Sequence, residues 1–227
     1  MDRPLVLFGL GKIADVVFDC LTQESDRRVV AFTCEREHCD RESWHGRPTI
    51  PYERLVEAYP PDNHDLMIAI GYQNINRERA RLCAIAREYG YTLVTHISPR
   101  ASLHANVSVG ETCLIMEGVS IQAGARVGSN VFLWSNATIG HHSSVRDHCY
   151  FASGTTIGGG ASVGERCFAG LNATVGHEIE IGDGCFLGAG TLITRSCPDQ
   201  SVFVRADTDR HRLDSDRFVA IASSLAH

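Results

Sequence analysis

The residues best suited to chemistry lie in a short segment with the sequence IGHHSSVRDH, residues 139–148. It contains His141, His142 and His148, with Asp147 beside the last histidine. Imidazole titrates near neutral pH, so it can take a proton from an amine or hydroxyl nucleophile. Adjacent side chains point in different directions at a turn, so at most one of His141 and His142 should face a given cleft. We expect His148 to be a solvated turn residue.

A second candidate site is the glycine-containing turn at Gly9, Gly11 and Lys12. It follows a short apolar run and precedes residues with helical apolar spacing, which predicts a strand over 4–9 and a helix over 12–21. The bare amides of such a turn suit a phosphate. Because Ala14 stands where a third glycine would complete the dinucleotide motif, a plain structural turn fits these residues equally well.

Two groups of residues resemble metal sites without completing one. Cys34, His38, Cys39 and His45 lack a second ligand pair with the spacing of a zinc site, so we interpret them as a surface loop. His141 and His177 are separated as two ligands of a zinc-binding β-helix would be. The third ligand of such a site would be Gly182, which offers no side chain. We therefore expect no metal.

The histidine segment lies inside a long repeat with a period of six. An apolar residue returns at every sixth position without an insertion, which is typical of a parallel β-helix. Cys113, Cys149, Cys167 and Cys185 share one position of the repeat, and we expect them to fill the interior as small apolar residues. The apolar column comprises Leu103, Val109, Ile115, Ile121, Val127, Leu133, Ile139, Val145, Phe151, Ile157, Val163, Ala169, Val175, Ile181, Leu187 and Ile193.

The sequence predicts three parts. Residues 1–96 form an α/β domain of Rossmann-like βαβ type, with further strands over 28–33, 65–71 and 92–96 and a helix over 76–89. Residues 97–198 form the β-helix. Residues 199–227 form a tail with a strand-like piece at 202–205 and a helix that Ser215 and Asp216 would cap. The apolar residues of that helix are Phe218, Val219, Ile221 and Leu225.

Composition narrows the class of function. The chain has 227 residues and a net charge of −6, which disfavours nucleic acid as a partner. No apolar run is long enough to cross a membrane, and the start of the chain does not resemble a secretory signal. Its 9 cysteines favour a reducing compartment. We expect a cytoplasmic protein that does not bind a membrane.

Three segments carry a resemblance to a known family: FGLGK, AIGYQNINRERA and LWSNATIGHHSSVRDHCYFASGTTIGGG. They resemble the bacterial nucleotide-sugar acyltransferases, in the branch of sialic-acid O-acetyltransferase-like proteins and bacillosamine- and perosamine-type N-acetyltransferases. The resemblance implies a left-handed β-helix and a homotrimer. It also implies acetyl-CoA bound between two subunits, a nucleotide sugar on the N-terminal domain and a histidine as base.

Carried over to this sequence, the resemblance makes His141 the catalytic base. His142 stands where an acidic partner is common, so a backbone carbonyl, Asp147 or a neighbouring subunit is left to orient His141. The Gly158–Gly159 turn is the candidate for holding an oxyanion. The C-terminal segment that starts at Val204 differs from the sequence with which members of the family usually end. The residues expected to contact coenzyme A are Gly158, Gly159, Gly170, Leu171 and Ala189. The residues expected to contact the nucleotide sugar are Gly9, Gly11, Lys12, Thr33, Glu35, Gly71, Tyr72, Asn76 and Tyr150.

The expected function is transfer of an acetyl group from acetyl-CoA to the amino group of a nucleotide-linked amino sugar in bacterial surface-glycan biosynthesis. Three alternatives remain open at this stage. The first is O-acetylation of a sugar hydroxyl, as on a sialic acid. The others are a zinc protein of the γ-carbonic-anhydrase type and a non-catalytic scaffold that binds a nucleotide.

Overall fold

The N-terminal part of the chain is a six-stranded sheet with the strand order β3-β4-β2-β1-β5-β6. The computed structural model describes residues 3–224, with side chains to residue 221. All neighbouring strands are parallel except β3 and β4. The strands are β1 Leu5–Phe8, β2 Val29–Cys34, β3 Ser43–Trp44, β4 Arg47–Pro51, β5 Asp65–Ile68 and β6 Thr92–Leu93.

Helices cover this sheet because their apolar residues recur at helical spacing. Helix α1, Lys12–Glu24, buries Val17 and Leu21, and extends past the predicted end at residue 21. Short 3-10 turns lie at Arg36–His38 and Tyr52–Arg54. Helices α2, Leu55–Ala58, and α3, Arg77–Glu88, complete this part.

A β-hairpin lies in the segment that the sequence suggested was a loop. Strands β3 and β4 pair antiparallel around His45 and Gly46, which have φ values of 46° and 68°. Positive φ at both central residues is the geometry of the type I′ turn that suits a two-residue hairpin. The His-Gly pair did not signal this turn because Asn-Gly or Asp-Gly is the usual sequence for it.

The second part is a β-helix with three strands in each coil, which confirms the predicted fold. Strands 18 residues apart pair in parallel, as Leu114 does with Phe132 and Thr138 with Thr156. The docked face, which packs on the N-terminal sheet and helices, contains β7 His96–Ile97, β10 Leu114–Ile115, β13 Phe132–Leu133, β16 Tyr150–Phe151, β19 Phe168–Ala169, β22 Phe186–Leu187 and β24 Val202–Phe203.

Two further faces close each coil. The small-residue face contains β8 Ser102–Leu103, β11 Ser120–Ile121, β14 Thr138–Ile139, β17 Thr156–Ile157, β20 Thr174–Val175 and β23 Leu192–Ile193. The third face contains β9 Ser108–Val109, β12 Arg126–Val127, β15 Ser144–Val145, β18 Ser162–Val163 and β21 Glu180–Ile181. The repeat begins earlier than predicted, because His96 and Ile97 pair with Leu114 and Ile115 in the first coil. The predicted strand over 92–96 is thus divided between the two parts.

The interior of the β-helix is mostly apolar, as the column of period six predicted. Ser143, Thr155 and Thr191 are also buried, and each hydroxyl donates to a main-chain carbonyl. Cys113, Cys149, Cys167 and Cys185 are fully buried in it. Burial raises the pKa of the Cys113 thiol to about 11, so this thiol stays protonated at neutral pH and is unreactive. These cysteines fill space between the coils, as expected.

The C-terminal segment adds one strand and one helix. Strand β24 extends the docked face, and helix α4 covers Ser215–Ser224. Asp214, rather than the predicted Ser215 and Asp216, caps this helix: its Oδ1 accepts from the Arg217 N–H at 2.9 Å. Leu225 lies outside the described residues. No helix among those described combines the length and apolar character needed to cross a membrane.

Candidate active site

His141 and His142 lie together at one corner of the β-helix, between β14 on the small-residue face and β15 on the third face. Both are exposed, and their Nδ1 atoms are 3.2 Å apart, so one ring donates to the other. The backbone N–H of His141 donates to Oε1 of Gln122 in the coil below. We call this edge of the molecule the base corner; it also bears Gly159 and His177.

A glycine leaves room for the His141 ring. In the coil above it, a Cβ on Gly159 would lie 2.5 Å from Nε2 of His141, much closer than two such atoms can approach. The Nε2 end of the His141 ring therefore packs against Gly159. This contact fixes the position of Nε2, the nitrogen that faces away from His142.

The Gly158–Gly159 turn does not offer the free N–H groups that the sequence suggested for an oxyanion. The Gly158 N–H donates to the carbonyl of Val175 at 2.8 Å, within the ladder between coils. The Gly159 N–H donates to Nδ1 of His177 at 3.1 Å. In this structure the expectation is wrong, because both donors already have acceptors.

The remaining members of the histidine segment lie at a different corner, between β15 on the third face and β16 on the docked face. Oδ1 of Asp147 accepts from the Ser129 N–H at 2.7 Å, so Asp147 does not orient His141. Nδ1 of His148 is 2.9 Å from the side-chain amide of Asn130. His148 is partly buried, contrary to the expectation of a solvated turn residue. We call this edge the joint corner.

The residues expected to contact coenzyme A border the small-residue face on both sides. Gly158 and Gly159 belong to the base corner, while Gly170, Leu171 and Ala189 follow β19 and β22 at the corner with the docked face. Leu171 is 55% exposed, so its side chain is accessible to a ligand or a second subunit at this corner. A cavity of about 430 Å³ continues this strip at the C-terminal coils, lined by Leu192, Val204 and Arg205 among others.

Two cavities adjoin the N-terminal residues that the sequence singled out. The larger, about 540 Å³, lies between the β-helix and the loop after β5, and it includes Gly71, Tyr72 and Phe186 in its lining. The Tyr72 ring packs on Phe168 at 4.1 Å between centroids. The smaller cavity, about 270 Å³, lies at the carboxyl ends of the strands and is lined by Phe8, Gly9, Leu10, Gly11, Cys34, Glu35, His38, Asp40, Arg41 and Ile70. Lys12 is exposed beside Gly11 at the start of α1.

Three of the residues predicted to contact the nucleotide sugar make hydrogen bonds within the protein instead. Thr33 is fully buried and its hydroxyl donates to the carbonyl of Ile50 at 2.9 Å. Asn76 is also fully buried and bonded to the β-helix. The Gly9 N–H donates to the carbonyl of Thr33 at 2.8 Å. The side chains of Thr33 and Asn76 therefore cannot contact a nucleotide sugar in this structure.

Gly9 is required by close packing. It has a φ of 130°, and a Cβ there would lie 2.6 Å from the carbonyl oxygen of Ala69.

Tyr150 is only 7% exposed and forms part of an aromatic cluster with Trp134 and Phe168. Burial raises the pKa of Tyr150 to about 12, so it remains a neutral phenol.

Within the described residues, the only group of three side chains close enough to share a metal ion is Glu35, Glu37 and His38. These residues are largely exposed and belong to the loop after β2. His141 and His177 are not part of such a group, because Gly159 separates them along the base corner. His45 instead contacts Asp15 at 2.8 Å.

Comparison with known proteins agrees with this geometry. A model described as bacterial transferase hexapeptide (six repeats) matches residues 124–159. A model described as hexapeptide repeat of succinyl-transferase matches residues 160–195. A solved structure of perosamine N-acetyltransferase from Caulobacter crescentus, in complex with CoA and GDP-perosamine, is 29% identical. It covers 88% of this chain and 92% of its own, with a TM-score of 0.79.

This chain resembles the hexapeptide-repeat acyltransferases in its repeats and in its fold. The relationship predicted from the sequence is thus confirmed. A variant of the Caulobacter enzyme with a histidine changed to asparagine matches with a TM-score of 0.80, at 28% identity and over 88% of this chain and 92% of that one. The acetyltransferase domain of PglB from Neisseria gonorrhoeae shares the fold at 24% identity. It covers 88% of this chain and 96% of that one, with a TM-score of 0.77. A search of curated proteins found no match.

Sequence reasoning missed two contacts around His141 and Gly159. Gln122 lies in the coil below His141, and His177 lies in the coil above Gly159. The signal was present: residues 18 positions apart occupy the same place in successive coils, so His141, Gly159 and His177 had to stack. Arg79 was also missed, because its role depends on how the N-terminal part packs on the β-helix.

Proposed function

We propose that this acyltransferase moves an acetyl group from acetyl-CoA to the amino group of a nucleotide-linked amino sugar, in bacterial surface-glycan biosynthesis. The observation that carries the proposal is the exposed His141–His142 pair beside a face of small residues. The similarity to the Caulobacter enzyme, solved with CoA and GDP-perosamine, supports it.

The reaction requires the protein to accept one proton from the acceptor and to pass it to the leaving group. Nε2 of His141 accepts a proton from the acceptor amine as its nitrogen attacks the thioester carbonyl. The C–N bond forms, the C–S bond breaks, and the proton passes to the leaving thiolate. His142 serves as the acceptor for the Nδ1–H of His141, which leaves Nε2 unprotonated. A neutral imidazole stabilises the resulting imidazolium less than a carboxylate would.

The acetyl-CoA would lie along the small-residue face. Thr138, Thr156 and Thr174 are short and let a ligand approach the coils closely. The predicted contact residues Gly158, Gly159, Gly170, Leu171 and Ala189 border this face on both sides, and the exposed Leu171 would be covered by the ligand or by a second subunit. The thioester would then lie beside the base corner.

The nucleotide would bind at the smaller cavity, where Gly11, Lys12 and Glu35 are accessible. Its sugar would reach the larger cavity beside Gly71 and Tyr72. This cavity adjoins the docked face, whereas His141 lies beyond the small-residue face of the same chain. A homotrimer resolves the separation, because a neighbouring subunit can bring its own base corner to the cavity. We include this trimer, and a cytoplasmic location, in the proposal.

The test is release of free coenzyme A from acetyl-CoA with a panel of UDP-, dTDP- and GDP-linked amino sugars. Release with one amino sugar and formation of the N-acetyl product would support the proposal. Release only with a hydroxyl acceptor such as a sialic acid would replace it by O-acetyltransfer. An absence of both turnover and acetyl-CoA binding would contradict it and favour the non-catalytic scaffold.

A further inference from the structure

The wall of the larger cavity is a backbone turn in an unfavourable conformation. Asn74, Ile75 and Asn76 are consecutive residues with φ values of 50°, 48° and 61°. Only glycine, and to a lesser degree asparagine, adopts this left-handed region readily, and a β-branched residue such as Ile75 is a genuine exception there. Surrounding contacts must therefore hold this turn in place.

Asn76 provides the first of these contacts. Its side-chain amide is fully buried and donates to the carbonyl of Cys167 at 3.1 Å, with a longer contact to the carbonyl of Arg166 at 3.4 Å. Both carbonyls belong to the coil that leads into β19. The left-handed turn is thus attached to the β-helix at the level of Phe168.

Arg79, one turn further along α3, provides the second. It is fully buried, and none of its hydrogen bonds in the described structure goes to a carboxylate. Its guanidinium lies 4.2 Å above the Phe132 ring and 5.7 Å from the Tyr150 ring. Its acceptors are the carbonyls of Gly71, Asn130, His148 and Cys149 and the side-chain oxygens of Asn76 and Asn130.

These two residues act on both walls of the cavity. Gly71, Tyr72 and Ile75 form the wall on the N-terminal side, and Arg79 binds the carbonyl of Gly71 directly at 3.3 Å. The opposite wall is Phe186 of the docked face, which stacks on Phe168 with ring centroids 4.7 Å apart; Tyr72 packs on the same Phe168 ring. A shift of Asn76 or Arg79 would therefore change the width of the cavity without touching the base corner.

We propose that Asn76 and Arg79 are positioning residues that hold the two walls of the larger cavity apart, so that the acceptor sugar can enter it. This inference rests on the proposed function for the identity of the ligand. It assigns Asn76 a role through the turn rather than through a direct contact with the substrate. The base corner and the residues expected to contact coenzyme A should be unaffected by changes at these two positions.

The test compares matched variants in steady-state kinetics. Asn76→Gly keeps the left-handed backbone but removes the amide, and Asn76→Asp keeps the acceptor for Arg79 but removes the donor to Cys167. We expect the KM for the amino-sugar substrate to rise at least tenfold in both, while the Kd for acetyl-CoA stays within twofold. Arg79→Ala should behave similarly and recover in part with millimolar guanidinium ion. Arg87→Ala, on the exposed side of α3, is the control.

The second readout needs no acceptor. Amide hydrogen exchange of residues 70–80 should accelerate in Asn76→Gly, while exchange in the coils around His141 stays unchanged. If the wild-type chain acetylates no amino sugar, the proposed function fails, and exchange still tests the turn. Equal weakening of acetyl-CoA binding and acceptor binding, or unchanged KM and exchange, would overturn the positioning role. If Arg79→Ala does not fold, the Asn76 variants decide the matter.

Discussion

His142 and His148 occupy the same position of two successive hexads, yet the structure gives them different surroundings. Both have left-handed backbones, with φ values of 57° and 63°. His142 is exposed at the base corner and contacts His141. His148 lies at the joint corner, where it accepts from Asn130 and its carbonyl accepts from Arg79.

The difference arises outside the repeat. The coil gives each residue of a hexad position the same backbone, so the side chain's role depends on what covers that corner. The N-terminal part covers the joint corner and leaves the base corner open. In this fold a histidine therefore becomes a catalytic candidate through exposure to a ligand, and an equivalent histidine becomes part of the packing when a second domain covers it.

Of the substitutions that test this comparison, replacing His141 should lower the turnover most. His141→Asn removes the proton acceptor, and turnover should fall by about 10²- to 10⁴-fold, the usual contribution of a general base. The measurement is kcat for coenzyme A release with the acceptor found in the panel. Unchanged acetyl-CoA binding in the variant would show that the loss lies in the chemical step. Near-normal turnover would remove His141 from the role of base.

Adding a methyl group at Gly159 should have the next largest effect. In Gly159→Ala the new Cβ would occupy the place of the His141 ring. The imidazole must move, and a displacement of about 1 Å can cost about 10²-fold in rate, so kcat should fall by about 10- to 100-fold.

Gly176→Ala is a control glycine in the next coil, at the hexad position of Gly158, because a Cβ there would meet its neighbours at 3.4 Å, an ordinary contact. Equal losses of activity in the two variants would point to general damage to the coils.

The sequence was sufficient to predict what the repeat itself determines. The apolar column predicted the β-helix, and the shared hexad position predicted the buried ladder of Cys149, Cys167 and Cys185. It also predicted that His141 and His142 would lie at a corner. The reason is that each hexad repeats one local conformation, so a residue's place follows from counting.

What the sequence could not supply depends on contacts between distant parts of the chain. Thr33 and Asn76 looked like ligand contacts, because polar residues near the ends of parallel strands often are. Both are instead buried by neighbouring elements, and for Asn76 that neighbour is a coil 91 residues away. The position of Asp147 relative to His141 was similarly open until the corners were assigned.

Replacing His142 should have a smaller effect, since it acts through His141. His142→Ala removes the acceptor for Nδ1 of His141 and places alanine in a left-handed conformation, which costs about 1 kcal/mol. We expect kcat to fall about tenfold. His142→Asn tolerates the backbone and isolates the loss of the ring; its kcat should lie between those of wild type and His142→Ala. An unchanged kcat in both variants would show that His142 does not orient the base.

Replacing His148 should leave turnover unchanged and alter only the stability, by the smallest amount. Burial lowers the pKa of His148, and the nearby Arg79 acts in the same direction while Asp147 opposes it. Protonation of His148 would also place an N–H at Nδ1 against the side-chain NH2 of Asn130, so that two donors would face each other. The unfolded chain therefore binds this proton more readily than the folded one, so the wild type loses stability as the pH falls below about 6.5.

His148→Asn keeps a residue that tolerates the left-handed backbone but removes this titration. At pH 7.5 the variant should unfold more easily by about 1 kcal/mol, the net value of a hydrogen bond. The gap to the wild type should narrow as the pH is lowered from 7.5 to 5, as measured by denaturant unfolding at each pH. A gap that widens on acidification would mean that protonated His148 is favoured in the folded state. The joint corner would then be an electrostatic contact, rather than the neutral packing that separates His148 from His142.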